Sequence, residues 1–213
     1  MNIYLIRHGR QCSKLCSVNV SLSEEGRRQS ALVGKRLEDG NIDAVYSSSL
    51  IRAVETAREA NHFWNAPHII RPELKEISFG EMEGLSDHEI AVRFAGFKKE
   101  QEKLETDLPY PGGECAGDVI RRAMPVFEEI AESSYENVAV VTHGGVIRAM
   151  VTAFLHMEPK DYRILGNSLE NSSITEVRWK KEPGRFFVER FNDYAHLEPY
   201  PELLRAGWID MEN

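Results

Sequence analysis

Residues 3–9 have the sequence Ile-Tyr-Leu-Ile-Arg-His-Gly, and this stretch decides the fold of the chain. The four apolar residues favour β-structure, and the Arg-His-Gly group that follows ends the apolar run abruptly. Residues 138–145, Val-Ala-Val-Val-Thr-His-Gly-Gly, repeat this pattern far along the chain. Each stretch is typical of a buried strand that stops at a polar turn, and a His-Gly pair lies in each turn.

Helical patterns alternate with these strands. Residues 24–37 carry apolar residues along one stripe after Ser23, a favoured N-cap, and therefore predict a helix. Residues 42–46 predict a second strand, residues 50–60 a second helix, and residues 146–155 a helix after the second His-Gly pair. Strands that alternate with helices indicate the α/β class. We expect a three-layer sandwich with a mostly parallel central sheet and helices on both faces.

The alternation stops between residues 78 and 112. This segment contains several glycines and a polar helical pattern near residues 86–104. Ligands of parallel α/β sheets bind beyond the carboxyl ends of the strands. We therefore predict that residues 78–112 form a small inserted lobe over the site, within a single domain that spans residues 1–213.

The remaining segments have less regular patterns. Residues 116–131 predict a helix that kinks at Pro125, because proline removes a backbone donor. Residues 173–179 and 185–191 flank a Pro-Gly turn and predict a hairpin or a pair of edge strands. The residues from Asn192 onward include two prolines and predict an irregular tail.

Composition and charge exclude several classes of function. The chain has 42% hydrophobic and 28% charged residues and no apolar run of about 18 residues, so we predict no membrane contact. A formal net charge of −8 disfavours binding to nucleic acid, which uses clustered Lys and Arg. The start of the sequence lacks the pattern of a secretory leader, and three cysteines suit a reducing compartment, which together predict the cytoplasm.

A structural metal site is not expected. Cys12 and Cys16 have the spacing of half a zinc site, but no second Cys or His pair follows at a matching distance.

The two His-Gly turns carry the chemistry. Parallel strands end at the same edge of a sheet, so His8 and His143 are expected to lie close together. A neutral imidazole is a nucleophile near pH 7, and its bond to phosphorus is labile. Arg7 and Arg52 are candidates for binding phosphate oxygens. A guanidinium stays charged and can donate two parallel hydrogen bonds to two oxygens of one phosphate. Gly144, at the start of a helix, allows backbone N–H groups to approach an anion.

Several short blocks occur in a fixed order along the chain. They are residues 7–9 (Arg-His-Gly), 48–57 (Ser-Ser-Leu-Ile-Arg-Ala and a following Thr-Ala), 74–84 (a Glu before Phe-Gly and Glu-Gly), 111–114 (Pro-Gly-Gly-Glu) and 142–145 (Thr-His-Gly-Gly). This order resembles that of the histidine phosphatase superfamily, also called the phosphoglycerate mutase-like family. The resemblance covers residues 3 to about 178.

The resemblance implies a metal-independent phosphomonoester hydrolase that acts on a small phosphorylated metabolite and needs no cofactor. It implies that His8 becomes phosphohistidine and that Glu76 protonates the leaving alcohol and then takes a proton from water. It also implies that Arg7, Arg52 and His143 bind the phosphoryl oxygens.

The chain departs from the family pattern after the first His-Gly pair. The family commonly has Glu and then Asn where this chain has Arg10 and Lys14. Our hypothesis is that Arg10 or Lys14 binds a second anionic group of the substrate, such as a carboxylate or another phosphate. The alternative is a solvated surface Arg.

Other functions stay open at this stage. A phosphoglycerate-type mutase would return the phosphoryl group to another hydroxyl of the same molecule, and a protein with a vestigial site would only bind phosphate. Cys115 and Arg121 have the Cys-x₅-Arg spacing of cysteine-based phosphatases, although neighbouring acidic residues oppose a thiolate there. Sugar phosphates, phosphoglycerate-like acids, nucleotide precursors and ribazole phosphate all remain candidate substrates. The oligomeric state is also open, with a homodimer as one option.

Overall fold

A single six-stranded sheet forms the centre of the protein. The computed structural model describes residues 1–166 and 168–206. The strands are β1 (Asn2–Arg7), β2 (Ala44–Ser47), β3 (His68–Ile70), β4 (Asn137–Thr142), β5 (Ile174–Lys180) and β6 (Arg185–Asp193). They are ordered β3-β2-β4-β1-β5-β6, and β1 to β4 are parallel whereas β5 and β6 are antiparallel. The mostly parallel sheet and the predicted hairpin are confirmed.

Helices cover both faces of this sheet. The α-helices of the described residues are α1 (Glu24–Arg36), α2 (Ile51–Asn61), α3 (Asp87–Arg93), α4 (Ala95–Gln101), α5 (Ala116–Glu132) and α6 (Gly144–Phe154). Helices α1 and α2 pack together against one face, and α5 and α6 pack against the other. This arrangement confirms the three-layer α/β sandwich. Within the described ranges, every helix is too short or too polar to cross a bilayer.

The strand residues alternate between two hydrophobic cores. In β4, Val138 and Val140 belong to the core beneath α5 and α6, whereas Ala139 and Val141 belong to the core beneath α1 and α2. Successive side chains of a strand point to opposite faces, and a parallel sheet is buried on both. This explains why the sequence of β4 is apolar throughout.

The segment between β3 and α5 differs from the sequence prediction. The single helix expected near residues 86–104 is two short helices, because Phe94 takes the non-helical angles φ −117° and ψ 23° and separates α3 from α4. Ser86 begins α3 with a capping box that it forms with Glu89. The strand β3 was not predicted, since its three residues are too few to show a periodic pattern.

The tail is more ordered than its composition predicts. Residues 201–206 lie across the loop that follows β1, and we call this segment the C-terminal strap. Leu203 of the strap is completely buried. The guanidinium of Arg10 donates to the carbonyls of Leu203 (3.0 Å) and Leu204 (3.1 Å), and the side-chain amide of Gln29 donates to the Leu203 carbonyl at 2.6 Å. Buried polar contacts, which sequence periodicity does not reveal, therefore hold the strap.

The loop after β1 packs directly on the first turn of α1. A Cβ atom placed on Gly26 would lie 2.0 Å from the carbonyl oxygen of Arg10, and one placed on Gly9 would lie 2.5 Å from the carbonyl oxygen of Gly26. Only glycine permits this approach of two backbones. The position of His8 thus depends on the absence of a side chain at Gly26.

We expect Gly26→Ala to destabilise the protein by about 1–3 kcal/mol, because the added methyl group overlaps a backbone carbonyl that cannot move aside. Thermal or urea unfolding measures the effect. Gly96→Ala, also within a helix but with open space around its Cβ position, is the matched control and should be neutral or stabilising. Equal stability of the two variants would contradict this packing argument.

Candidate active site

The two histidines lie side by side because their strands are neighbours in register. Arg7 of β1 pairs with Thr142 of β4, so the residues that follow leave the sheet at the same edge. The backbone N–H of His8 donates to the Thr142 carbonyl at 2.9 Å. The ring centroids of His8 and His143 are 5.0 Å apart. The expected convergence of the two imidazoles is confirmed.

The His8 ring has one proton whose position the contacts determine. Its Nδ1 lies 2.7 Å from the carbonyl oxygen of Gly9, which only accepts hydrogen bonds, so Nδ1 carries the proton. Its Nε2 therefore has a free electron pair in the neutral ring. The Nε of Arg52 donates to this Nε2 at 3.2 Å. The unprotonated nitrogen of His8 consequently faces a guanidinium.

His143 and Arg7 each bring a buried donor to the site. The Oγ of Ser48 accepts from the backbone N–H of Leu50 and lies 2.7 Å from Nε2 of His143, so the hydroxyl is placed to donate to that nitrogen. The proton of His143 then resides on Nδ1. Among the described residues, neither this Nδ1 nor the Nε of Arg7 has a hydrogen-bond partner, although both atoms are buried. Buried donors usually have partners, and these two suit the oxygens of an anionic ligand.

Arg52 reaches the site from the first turn of α2. Its side chain is almost fully buried, and its Nη1 donates to the carbonyl of Val18 at 2.9 Å. Thr56, one turn later, accepts from the backbone N–H of Gly9 and donates to the carbonyl of Arg52. The helix and the His8 loop are thus hydrogen-bonded to each other, and this bonding orients the guanidinium towards His8.

The side chain of Glu76, from the segment after β3, lies next to the first residues of α6. Its carboxylate accepts from the backbone N–H of Gly145 at 3.1 Å and from that of Ile77 at 2.9 Å. The N-terminal end of a helix stabilises a negative charge. A Cβ on Gly145 would lie 2.5 Å from the Oε1 of Glu76, so glycine is required there for the carboxylate to fit. Gly144 was expected to bind phosphate through its backbone N–H, and it begins this same helix.

Burial and neighbouring cations keep both imidazoles neutral. Burial lowers the pKa of His8 well below 6.5, and the charges of Arg52 and Arg7 lower it further. Burial and then Arg52 likewise lower the pKa of His143. Burial, followed by the charge of Arg205, lowers the pKa of Arg7 to about 9, so this guanidinium is still charged at neutral pH. The site therefore combines neutral imidazoles with charged guanidinium groups.

A cavity of about 470 Å³ at the carboxyl edge of the sheet is lined by Arg7, His8, Arg52 and Glu76. The predicted site residues His143 and Gly144 are not among its lining residues. Its basic side chains are Arg7, Lys14, Arg52 and Arg205, and its acidic side chains are Glu76 and Asp87. The excess of basic groups contrasts with the net charge of −8 for the whole chain. Phe79 and Asp87, from the segment 78–112, also line the cavity. The cavity thus has a local field that favours an anion.

Of the two residues suggested to bind a second anion, only Lys14 lines the cavity. Arg10, one of two residues suggested to bind a second anion, is 3% exposed and its guanidinium donates to carbonyls of the C-terminal strap. It lies outside the cavity lining, so the structure does not place it where the suggested contact with the substrate would occur. The physical reason is that three strap carbonyls need a buried donor. Lys14 does line the cavity.

The sequence interpretation missed several residues that line the cavity, and Asn171 and Arg205 are the two with the most informative contacts. Asn171 donates from its Nδ2 to the His8 carbonyl at 2.9 Å, while its buried Oδ1 has no partner within the described part of the chain. Arg205 belongs to the C-terminal strap. Neither residue lies in a recognisable motif, and both approach the site through contacts between distant parts of the chain.

The cysteine-based alternative does not fit the geometry. Cys115 is the N-cap of α5, and its thiol contacts the carboxylate of Asp118 at 3.2 Å. Burial first, and then the adjacent acidic groups, raise the pKa of Cys115 to about 11. Arg121 is paired with Asp118, and its side chain is 77% exposed. The thiol is therefore protonated and has no anion cradle.

Comparison with known proteins gives the family. The model of the histidine phosphatase superfamily (branch 1) matches residues 3–194. The metal-independent phosphoserine phosphatase of Arabidopsis thaliana is 30% identical over 219 residues, covering 96% of this chain and 86% of that protein. A 2,3-bisphosphoglycerate-dependent phosphoglycerate mutase of Gloeobacter violaceus is 28% identical over 169 residues, covering 74% of this chain and 77% of that protein.

A solved structure supports the same assignment. The native mycobacterial glucosyl-3-phosphoglycerate phosphatase superposes with a TM-score of 0.82 at 26% identity, covering 91% of this chain and 99% of that chain.

We expect His8 to stay neutral at pH 6, where an imidazole of ordinary pKa would be about three-quarters protonated. Side-chain ¹⁵N NMR shifts followed from pH 8 to 5 measure this. Arg52→Gln should raise the pKa of His8, because removal of a nearby positive charge favours the imidazolium. Arg58→Gln, on the exposed side of α2, is the control. Half-protonation of His8 near pH 6.5 in the unmodified protein would contradict the prediction.

The strand-end histidines, the order of the sequence blocks and the family match all agree. The relative from Arabidopsis and the mycobacterial structure both carry phosphatase names. The chain therefore belongs to the histidine phosphatase superfamily, and it is a phosphatase that acts on a small phosphorylated metabolite.

Proposed function

We propose that the protein hydrolyses a small phosphate monoester that carries a carboxylate, with His8 as the nucleophile that forms a phosphohistidine. The observation that carries this proposal is a pair of buried donors that have no partner among the described residues, the Nε of Arg7 and the Nδ1 of His143, close to the unprotonated Nε2 of His8. A tetrahedral dianion placed among these atoms would meet a nucleophile and fixed donors at once.

The first step transfers the phosphoryl group to the enzyme. The electron pair on Nε2 of His8 attacks phosphorus, and the ester bond to the alcohol oxygen breaks. The carboxyl group of Glu76, in its protonated form, gives its proton to that oxygen, so the alcohol leaves uncharged. Arg7, Arg52, His143 and the backbone N–H of Gly144 stabilise the charge on the phosphoryl oxygens.

The second step releases inorganic phosphate. Glu76, now a carboxylate, accepts a proton from water as the water oxygen attacks phosphorus. The P–N bond breaks and its electron pair returns to Nε2 of His8. The backbone donors of Gly145 and Ile77 hold the carboxylate in one orientation through both steps. The guanidinium groups supply the positive charge, so the proposed reaction requires no metal.

The carboxylate in the substrate is inferred from the relatives and from the cavity. Phosphoserine and glucosyl-3-phosphoglycerate, which appear in the names of two similar proteins, are both phosphate esters that contain a carboxylate. Lys14 lines the cavity and is a further basic group beside those that we assign to the phosphoryl group. Lys14 is therefore our candidate for contact with the non-phosphoryl part of the substrate.

A mutase is the second candidate, because the chain also resembles the phosphoglycerate mutase of Gloeobacter violaceus. A mutase and a phosphatase would share the first step. They differ in whether water or a second hydroxyl receives the phosphoryl group. The same experiment distinguishes them.

The test incubates the protein in chelator with O-phospho-L-serine and, separately, with 3-phosphoglycerate in the presence and absence of 2,3-bisphosphoglycerate. We expect release of inorganic phosphate, at least about a thousand-fold slower for His8→Ala, because removal of the nucleophile leaves only binding and electrostatics. His62→Ala, with a side chain that is 76% exposed, is the matched control. Formation of 2-phosphoglycerate without phosphate would instead show a mutase, and the absence of both would leave a phosphate-binding protein.

The position of the Glu76 carboxylate against Gly145 leads to a second prediction. Gly145→Ala should lower kcat at least about ten-fold, because the new methyl group displaces the carboxylate, and general acid catalysis contributes about 10²–10⁴-fold. The loss should be smaller with p-nitrophenyl phosphate, whose leaving group needs little protonation. Gly96→Ala is the control, because Gly96 is likewise the second residue of its helix and has open space. Equal losses for the alkyl and the nitrophenyl ester would exclude this role for Glu76.

A further inference from the structure

The C-terminal strap is built into the site. The buried side chain of Arg10 donates to the carbonyls of Leu203 and Leu204, while the backbone N–H of Arg10 donates to the side-chain oxygen of Gln29 at 2.8 Å. The Nε2 of Gln29 also donates to the Leu203 carbonyl. Two residues beyond His8, the chain is therefore hydrogen-bonded to residues almost two hundred positions later.

A second anchor holds the strap on its other side. The backbone N–H of Arg205 donates to the Oε1 of Glu170 at 3.0 Å, and the same oxygen accepts from the backbone N–H of Asn171 at 3.2 Å. Asn171 in turn donates to the carbonyl of His8. The backbone of Arg205 is thus only a few hydrogen bonds away from the nucleophile, and its position is defined by carboxylate and amide groups.

The side chain of Arg205 is placed to meet a ligand. Arg205 lines the cavity together with Arg7, His8 and Lys14. Its positive charge is close enough to contribute to the lowered pKa of both His8 and Arg7. Within residues 1–166 and 168–206, no carboxylate forms a salt bridge with its guanidinium. Arg205 therefore adds to the excess of basic over acidic side chains in the cavity, and this excess favours an anionic ligand.

Binding of the phosphoryl group does not require the guanidinium of Arg205. The three non-bridging oxygens already have Arg7, Arg52, His143 and the start of α6 around them. Arg205 enters from the strap, a segment separate from the strand ends and helix starts that carry those groups. It suits an anionic group that lies elsewhere on the same substrate.

We propose that Arg205 is a specificity-determining residue that binds the second anionic group of the substrate, and that Arg10 and Gln29 are positioning residues that hold the strap. This inference rests on the proposed function, because it requires that the protein hydrolyses phosphate esters. It reassigns the role first given to Arg10: the buried Arg10 acts on the substrate only through the strap, whereas Arg205 makes the contact.

The test compares esters that differ only in the second anion. 3-Phosphoglycerate and glycerol 3-phosphate differ by a carboxylate in place of a hydroxymethyl group, as O-phospho-L-serine and phosphoethanolamine differ by a carboxylate. Propanediol 1,3-bisphosphate and propyl phosphate form the corresponding pair for a second phosphate. The kcat/KM of each ester is measured for the unmodified protein and for Arg205→Gln, Arg205→Lys and Arg185→Gln at one ionic strength.

We expect Arg205→Gln to lower kcat/KM about ten-fold to a hundred-fold for the esters with a second anion, and less than about three-fold for their partners without one. Arg205→Lys should recover part of the loss, because the charge is restored without the paired donors. Arg185→Gln, at the exposed start of β6, should match the unmodified protein on every ester. A selective loss for the carboxylates or for the bisphosphate supports the proposal and identifies which anion Arg205 binds.

Two results would overturn it. Equal losses on both members of every pair would mean that Arg205 acts through its general charge or through the strap, and no loss on any ester would mean that it makes no contact. The unfolding midpoint of each variant, measured alongside, separates a disrupted strap from a lost contact. If the unmodified protein hydrolyses none of the esters, the proposed function fails first and this inference fails with it.

Discussion

The parallel pairing of β1 with β4 is the constraint on which the rest of the site depends. Their register sets Arg7 opposite Thr142, and the next residue of each strand is a histidine. A shift of one residue would send one imidazole to the wrong face of the sheet, because side chains alternate along a strand. Both strands are buried on both faces, so apolar packing far from the cavity determines the distance between the two rings.

Electrostatics follow from that placement. Burial beside two guanidinium groups favours the uncharged form of each imidazole, which is the form that has a free electron pair. The carboxylate of Glu76 lies on the backbone donors at the start of α6 instead of pairing with Arg7 or Arg52. The guanidinium groups are therefore left available for a ligand.

Sequence patterns predicted the regions where local periodicity and packing agree. The strand ends, the helix that carries Arg52 and the convergence of His8 with His143 follow from apolar runs and from the rule that parallel strands end at one edge. The patterns did not predict the strap, because irregular backbone held by side-chain to carbonyl hydrogen bonds has no period. For the same reason Arg10 was interpreted as a cavity residue: its position next to Gly9 is evident from the sequence, but the direction of its side chain depends on residues 202–204.

Some residues that line the cavity come from strands and helix starts and others from loops, and this difference affects how substrate specificity can change in proteins of this family. The wall that surrounds His8 comes from central strands and helix starts, whose packing is tied to both cores. A second set of lining residues consists of Phe79 on a loop, Asp87 at the start of the short helix α3 and Arg205 in the C-terminal strap. Substitutions in that second set would cost little folding energy, since loops tolerate change better than strands do. One phosphoryl-transfer apparatus could thus acquire new substrates during evolution while the sheet and its cores stay the same.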